Sequence, residues 1–179
     1  RKGAGDQALL TRYAAECGYR LELIEKVHVD GGEVSSTRVR QEVREGRMEA
    51  AARMLGQPYS VSGKVEHGRR LGRTLGMPTA NLVPEADKLL PPNGVYYSSV
   101  FLDGVSYRGI SNIGCKPTVS NAHVMGVETY LYDFDASIYG RQIMVQLHAF
   151  RRPEEKFESV EALRAQLAMD IVAGREFEA

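Results

Sequence analysis

Neither sign of charge is in excess in this chain. Lys+Arg and Asp+Glu both number 23 in 179 residues, so no overall field draws it to nucleic acid or to an anionic membrane surface. Cysteine is scarce. Cys17 and Cys115 are the only two. Neither has a CxxC neighbour or a His at metal-ligand spacing, which argues against a disulfide framework or a zinc site. A reducing, cytoplasmic setting fits this usage. No apolar run approaches the roughly 18 residues of a membrane span, and no stretch reads as a secretory signal. The familiar phosphate loops are missing as well. Gly63 to Arg70 has the glycine spacing of GxxxxGK[ST] but neither its Lys nor its hydroxyl, and there is no GxGxxG. None of the four histidines sits in a nucleophile context, so Ser-His-Asp chemistry is not indicated.

What is present divides into two textures. Residues 1–56 read as helical with one strand. Asp6 caps a helix through Ala15 that carries Leu9, Leu10, Tyr13 and Ala14 as a stripe, and Gly18 ends it. Tyr19 to Val29 alternates through Leu21, Leu23 and Val27 and is expected to be a strand. Ser35-Ser36-Thr37 offers a second N-cap, Gly46 a stop, and Gly56 the end of a further short helix. From Tyr59 the pattern turns to β. Tyr59–Glu66, Gly94–Leu102, Ser106–Ile113, Gly126–Asp133 and Ile143–Phe150 are short apolar runs between Gly and Pro punctuation. Such spacing suggests a small antiparallel barrel of five or six strands. The stretches Gly68–Pro78 and Gly114–Gly126 are long for hairpins and are expected to be functional loops, mobile when empty. A last helix begins near Ser159, with Val160, Leu163, Leu167 and Ile171 as its apolar stripe. The domain boundary is expected near Gly56-Gln57-Pro58. The chain begins at Arg1 rather than Met and is expected to be a piece of something longer.

Four clusters carry chemistry. The first is Gly68-Arg69-Arg70-Leu71-Gly72-Arg73-Thr74-Leu75-Gly76-Met77-Pro78-Thr79-Ala80-Asn81. Its glycines let backbone N–H groups approach phosphate oxygens, and its arginines add charged donors. Thr79 and Asn81 share a side of an extended segment, and their hydroxyl and amide oxygens are hard ligands suited to Mg²⁺. A basic surface loop is the competing reading. In Gly126–Phe134, Glu128 shares a strand face with Tyr130 and Tyr132. There it could act as a general base or be an ordinary exposed acid. Asn112–Thr118 is a polar turn or a plain hairpin connection. Arg151–Phe157 is a charged element or a solvated linker before the last helix.

Together these clusters resemble the riboflavin kinase family, whose sequences show a GRxLGxPTAN loop, a PxGVY strand, an NIGxxPT turn, a Glu-bearing strand leading to DFxxxxYG, and RxExKF before a C-terminal helix. Here they stand at Gly72–Asn81, Pro92–Tyr96, Asn112–Thr118, Glu128 through Asp133-Phe134 to Tyr139-Gly140, and Arg152–Phe157, in the same order. The match spans about residues 57 to 175. Ser35-Ser36-Thr37-Arg38-Val39-Arg40 resembles the SSTxxR motif of the FMN adenylyltransferase domain in the bacterial bifunctional enzyme. The HxGH-type nucleotide motif of that domain is not in this chain.

The resemblance implies a six-stranded antiparallel Greek-key barrel with a C-terminal helix, preceded by a truncated Rossmann-like α/β segment. Residues 1–56 would be an incomplete adenylyltransferase domain and 57–179 a riboflavin kinase domain. Riboflavin and ATP would be substrates, FMN and ADP products, and Mg²⁺ or another divalent metal the cofactor. Thr79 and Asn81 would hold the metal and the ATP phosphates, and the loop with Gly68, Gly72, Arg73 and Gly76 would cover the nucleotide. Glu128 would take the proton from the ribityl 5′-hydroxyl. Asn112, and Arg152 with the last helix, would meet the flavin. Ser36, Thr37 and Arg40 would be adenylyltransferase remnants, with no adenylyltransferase activity expected of this chain. Tyr130 departs from the family, which often has His there. Two rivals are a non-catalytic flavin- or nucleotide-binding barrel and an OB-like nucleic-acid barrel. The motif residues and the zero net charge argue against them; no nucleic-acid or membrane partner is expected.

Overall fold

The computed structural model describes residues 6–68, 72, 76–117 and 123–178. They fall in two compact units, divided between Val34 and Ser35.

The first unit holds α1 (Gln7–Cys17) and the two-residue strands β1 (His28–Val29) and β2 (Gly32–Glu33), paired antiparallel. The Asp6 side chain accepts a hydrogen bond from Leu9 N, and Gly18 closes the helix at φ 73°. Both caps follow the local signals. The strand expected over 19–29 does not form: 19–27 has no regular structure, and only His28–Val29 is extended and paired. Leu23, Ile24 and Val27 are exposed, and alternation without a partner strand provides no ladder of backbone hydrogen bonds. Leu10 and Tyr13 of the α1 stripe are exposed too. The described residues of this unit therefore do not bear out a Rossmann-like arrangement.

The second unit opens with α2 (Ser36–Arg44), capped by Ser35, and α3 (Met48–Leu55), closed by Gly56 at φ 71°. Val43, Met48 and Ala51 are buried in the same apolar cluster as the barrel interior. The barrel consists of β3 (Tyr59–Glu66), β4 (Thr79–Leu82), β5 (Gly94–Leu102), β6 (Val105–Pro117), β7 (His123–Leu131) and β8 (Gln142–Arg152). It closes in the order β3-β4-β7-β6-β5-β8, every neighbour antiparallel. Strands β5, β6 and β7 form a meander. The connections from β4 to β5 and from β7 to β8 pass over neighbours, as a Greek key requires.

Alternation decides which side chains fill the interior. Ile143, Val145, Leu147 and Ala149 of β8 point in, as do Val61 and Val65 of β3. Ser98, Ser111 and Thr129 also lie within the buried set. Their hydroxyls form a chain, Ser98 to Ser111 at 2.8 Å and Ser111 to Thr129 at 2.7 Å, so none of these buried oxygens is left unpaired.

The loop expected over 114–126 is shorter than its sequence suggests, because the β6–β7 ladder runs out to Pro117 and His123. Most of the Gly68–Pro78 loop lies outside the described residues. The C-terminal helix α4 (Val160–Glu176) starts at Ser159, whose hydroxyl accepts from Ala162 N. Leu163, Leu167 and Ile171 are half-buried, whereas Val160, expected in the same stripe, is exposed. No described helix is long and apolar enough to cross a membrane.

Candidate active site

The site is built on the outer face of the barrel. In β4, Ala80 and Leu82 turn inward, which turns Thr79 and Asn81 outward. Asn81 stands opposite Glu128 of β7, and Glu128 opposite Asn112 of β6. Asn112 stands opposite Val95 of β5, and Val95 opposite Arg152 of β8. Directly opposed residues of an antiparallel pair lie about 4.5–5.5 Å apart at Cα. Four residues singled out from distant motifs thus form one row across five strands. Thr79 and Tyr130 begin the adjacent row.

Two cavities meet at this row. The larger, about 780 Å³, lies between the barrel face and α4. Thr79, Asn112, Glu128, Tyr130 and Arg152 line one side, and Leu163, Leu167 and Ile171 the other. The smaller, about 240 Å³, is lined by Gly68, Pro78, Thr79, Asn81 and the stretch from Phe134 to Tyr139. Thr79 belongs to both. Gly68 lies against the Asn81 carboxamide, where a Cβ would come within 2.7 Å of Nδ2. Gly72 O accepts from Met77 N at 2.7 Å, and a Cβ on Gly72 would lie 3.5 Å from Thr79 Oγ1. Gly76 has φ +77°, in open space. Arg73 lies outside the described residues. Ser36, Thr37 and Arg40 lie on the exposed side of α2 and line neither cavity.

The residue that ties α4 to the barrel was not among the sequence candidates. Asp170 is 2 % exposed. Its carboxylate accepts from Arg152 Nε at 3.0 Å and Nη2 at 2.5 Å, from Arg151 Nε at 2.8 Å and from Gln166 Nε2 at 3.1 Å. Burial works to raise the Asp170 carboxyl. The hydrogen bonds and charges of Arg152 and Arg151 outweigh it and hold the group below the usual carboxylate range. Further along, Arg108 Nη2 donates to the carbonyls of Gly174, Arg175 and Phe177, capping the helix end. Tyr132 donates to Ile171 O at 2.6 Å, and burial pushes its hydroxyl up to about 12. Phe177 stacks on Tyr97 with ring centroids 4.2 Å apart. The C-terminal half of α4 is therefore pinned, with Arg152 held at the cavity edge. The available signal was an Asp in an apolar helical stripe, which stays buried only when paired.

Glu154 was also not singled out. It accepts from Asn112 Nδ2 at 2.9 Å and from Asn93 Nδ2 at 3.1 Å. It occupies the acidic position of RxExKF, and it lines the larger cavity.

Among the described residues no group of three or more His, Cys, Asp or Glu could hold an ion, so no all-protein cage is present among them. Thr79 and Asn81 supply a hydroxyl and an amide oxygen at the junction of the two cavities. That pair fits a hard cation that brings its own waters and phosphate oxygens.

The outer face of the barrel thus combines hard oxygen ligands, a carboxylate and two adjoining cavities. Sequence relatives define the family. The family model described as Flavokinase: Riboflavin kinase matches residues 55–177, and the chain belongs to that family. A bifunctional riboflavin kinase/FMN adenylyltransferase of Pseudomonas fluorescens is 39 % identical over 96 % of this chain and 55 % of its own length. One from Listeria monocytogenes is 36 % identical over 99 % of this chain and 56 % of its own. The chain thus spans about half the length of these relatives. A solved structure named as a macrolide-efflux protein from Streptococcus pneumoniae superposes with TM-score 0.84 at 33 % identity, covering 96 % of this chain and 55 % of that one.

Proposed function

We propose that this chain transfers the γ-phosphoryl group of ATP to the ribityl 5′-hydroxyl of riboflavin, giving FMN and ADP. The observation that carries this reading is the row Asn81–Glu128–Asn112, in register on three neighbouring strands where the two cavities meet. The smaller cavity, beside Gly68, Thr79 and Asn81, takes the phosphate end of the nucleotide. The larger takes the flavin between the barrel and α4. Asn81 and Glu128 are then adjacent across the ladder, which puts a base next to the phosphate-binding amide.

The chemistry needs little from the protein beyond position and charge. Glu128 accepts the hydroxyl proton as the O5′–P bond forms and the bond from γ-phosphorus to the bridging oxygen breaks, with ADP leaving. The Thr79 hydroxyl and the Asn81 NH₂ can donate to phosphate oxygens, while their own oxygens are the hard ligands for the ion. Mg²⁺ or another divalent ion, when bound there, spreads the charge of the phosphoryl group. Asn112 and Arg152 orient the flavin end, and α4 excludes water from it.

Residues 1–56 are read as the C-terminal part of an FMN adenylyltransferase domain, with Ser36, Thr37 and Arg40 as its phosphate-binding remnant and residues 57–179 as the kinase domain. The experiment is direct. The chain is incubated with riboflavin, ATP and Mg²⁺, and FMN is followed by chromatography alongside ADP. Equal amounts of both are expected. Riboflavin binding without FMN would reveal a non-catalytic flavin barrel and overturn the reading.

A further inference from the structure

A carboxylate has only acceptors to offer. Both asparagines that meet Glu154 must therefore turn their NH₂ groups toward it, Asn112 at 2.9 Å and Asn93 at 3.1 Å. A carboxamide has its oxygen and nitrogen on opposite sides of one carbon. Committing Asn112 Nδ2 to Glu154 therefore fixes where Oδ1 goes. Asn112 lines the larger cavity and faces Glu128 across the β6–β7 ladder. Its carbonyl oxygen receives no hydrogen bond from a described residue.

Gly114 belongs to the same device. It lies two residues beyond Asn112 on β6, on the same face. A Cβ there would stand 2.7 Å from the Glu154 carboxyl carbon and closer still to one of its oxygens. Its φ is not in the left-handed region, so nothing in its backbone calls for glycine. The space is kept for Glu154.

We propose that Glu154 is a positioning residue for substrate recognition: it locks the Asn112 carboxamide so that its carbonyl oxygen faces the cavity, and the substrate group placed there is a hydrogen-bond donor, a hydroxyl or a ring N–H. The inference rests on the riboflavin reading and deepens it, since riboflavin carries donors of both kinds. An orientation locked in advance favours the donor-bearing ligand and rejects a group that offers only acceptors. Glu154 itself need not touch the ligand.

The test exchanges donor and acceptor across the pair. In Glu154→Gln, one oxygen of the carboxylate becomes NH₂, so it can no longer hold both asparagines in their present sense. The KM for riboflavin should rise roughly three- to tenfold, the worth of one neutral hydrogen bond. The KM for ATP and kcat at saturating substrates should be unchanged. Gly114→Ala, which pushes Glu154 aside, should do the same by a different route. In the double variant Asn112→Asp/Glu154→Gln the donor and acceptor trade places. The new amide donates to the new carboxylate, which again turns an oxygen to the cavity, and the riboflavin KM should return toward the parental value. Melting temperatures of all variants separate misfolding from mispositioning. If Glu154→Gln and Gly114→Ala both keep the parental riboflavin KM, the inference is wrong while the kinase reading stands. Equal rises in the KM for ATP and riboflavin, or a double variant no better than Glu154→Gln, also overturn it. A parental chain that forms no FMN removes the kinase reading, and this inference with it.

Discussion

Strands β4, β7 and β6 present two faces made of alternate residues of the same segments, and the two faces differ in kind. Inward, Leu82, Val127 and Ile113 are fully buried and in register, with Ala80, Thr129 and Ser111 beside them. Outward, Asn81, Glu128 and Asn112 form the next row and border open cavities. The period of two lets one short strand serve packing and chemistry without compromise between them. It also makes register decisive, since a slip of one residue would bury Glu128 and expose Val127.

The two faces differ most sharply at Glu128. Glu128→Gln keeps size and hydrogen bonding but removes the proton acceptor, so kcat should fall roughly 10²–10⁴-fold while the melting temperature and riboflavin affinity hold. A variant with parental kcat would take Glu128 out of the mechanism, and Asp133 would be the next acid to examine. The inner face should behave in the opposite way. Leu82→Ala leaves a hole in a fully buried position and should cost about 2–5 kcal/mol of stability. Below the melting transition its kcat should be close to parental. Denaturant unfolding paired with kinetics reads both quantities. A Leu82→Ala enzyme that was stable but slow would blur the division of the two faces.

Thr79→Ala and Asn81→Ala should each weaken ATP binding about 10–100-fold when Mg²⁺ is present, the loss of one contact to a charged group, and much less without the metal. Titration of ATP with and without the metal distinguishes a metal-linked role from simple phosphate contact; equal affinities for parent and variants would refute both assignments.

The smallest effects concern pH. His148 on β8 shares a hydrogen bond with Ser99 at 3.0 Å, and burial holds its ring below the usual histidine range. A depressed folded value means that the unfolded chain takes up the proton first. Stability should therefore begin to fall as pH drops below about 6.5, the unfolded value. His148→Gln should flatten that part of the profile. Asp170 acts in a lower window. Its folded value is depressed by Arg152 and Arg151, so its contribution is complete above about pH 4 and is lost as pH falls through the folded value. Melting curves across pH 3–8 test both arms, and a flat curve from pH 7 to 5 would remove the His148 term.

Much of this molecule was legible because the signals are local. The caps at Asp6, Ser35 and Ser159 and the helix stops at Gly18 and Gly56 each concern a few neighbouring residues. They read correctly without knowledge of the rest. Strands β3, β5 and β8 were also visible, because a buried strand between turn residues shows its own apolar pattern. The segment 19–27 failed for the complementary reason. Alternation gives a strand its faces, but only a partner strand gives it a ladder of hydrogen bonds, and none of the described strands pairs with it.

By itself, then, the order of residues determined most of the helices and strands, the barrel class and the set of chemical groups, since composition, capping and period act over one or two turns of chain. Only the tertiary structure decided which groups are neighbours. Asn81, Glu128, Asn112 and Arg152 are brought into one row by ladder register between strands far apart in the chain. Asp170 and Glu154 became meaningful only when their arginine and asparagine partners arrived from other elements. The physical reason is that a hydrogen bond depends on ångström separations in space, and separation along the chain leaves those undetermined until the barrel closes.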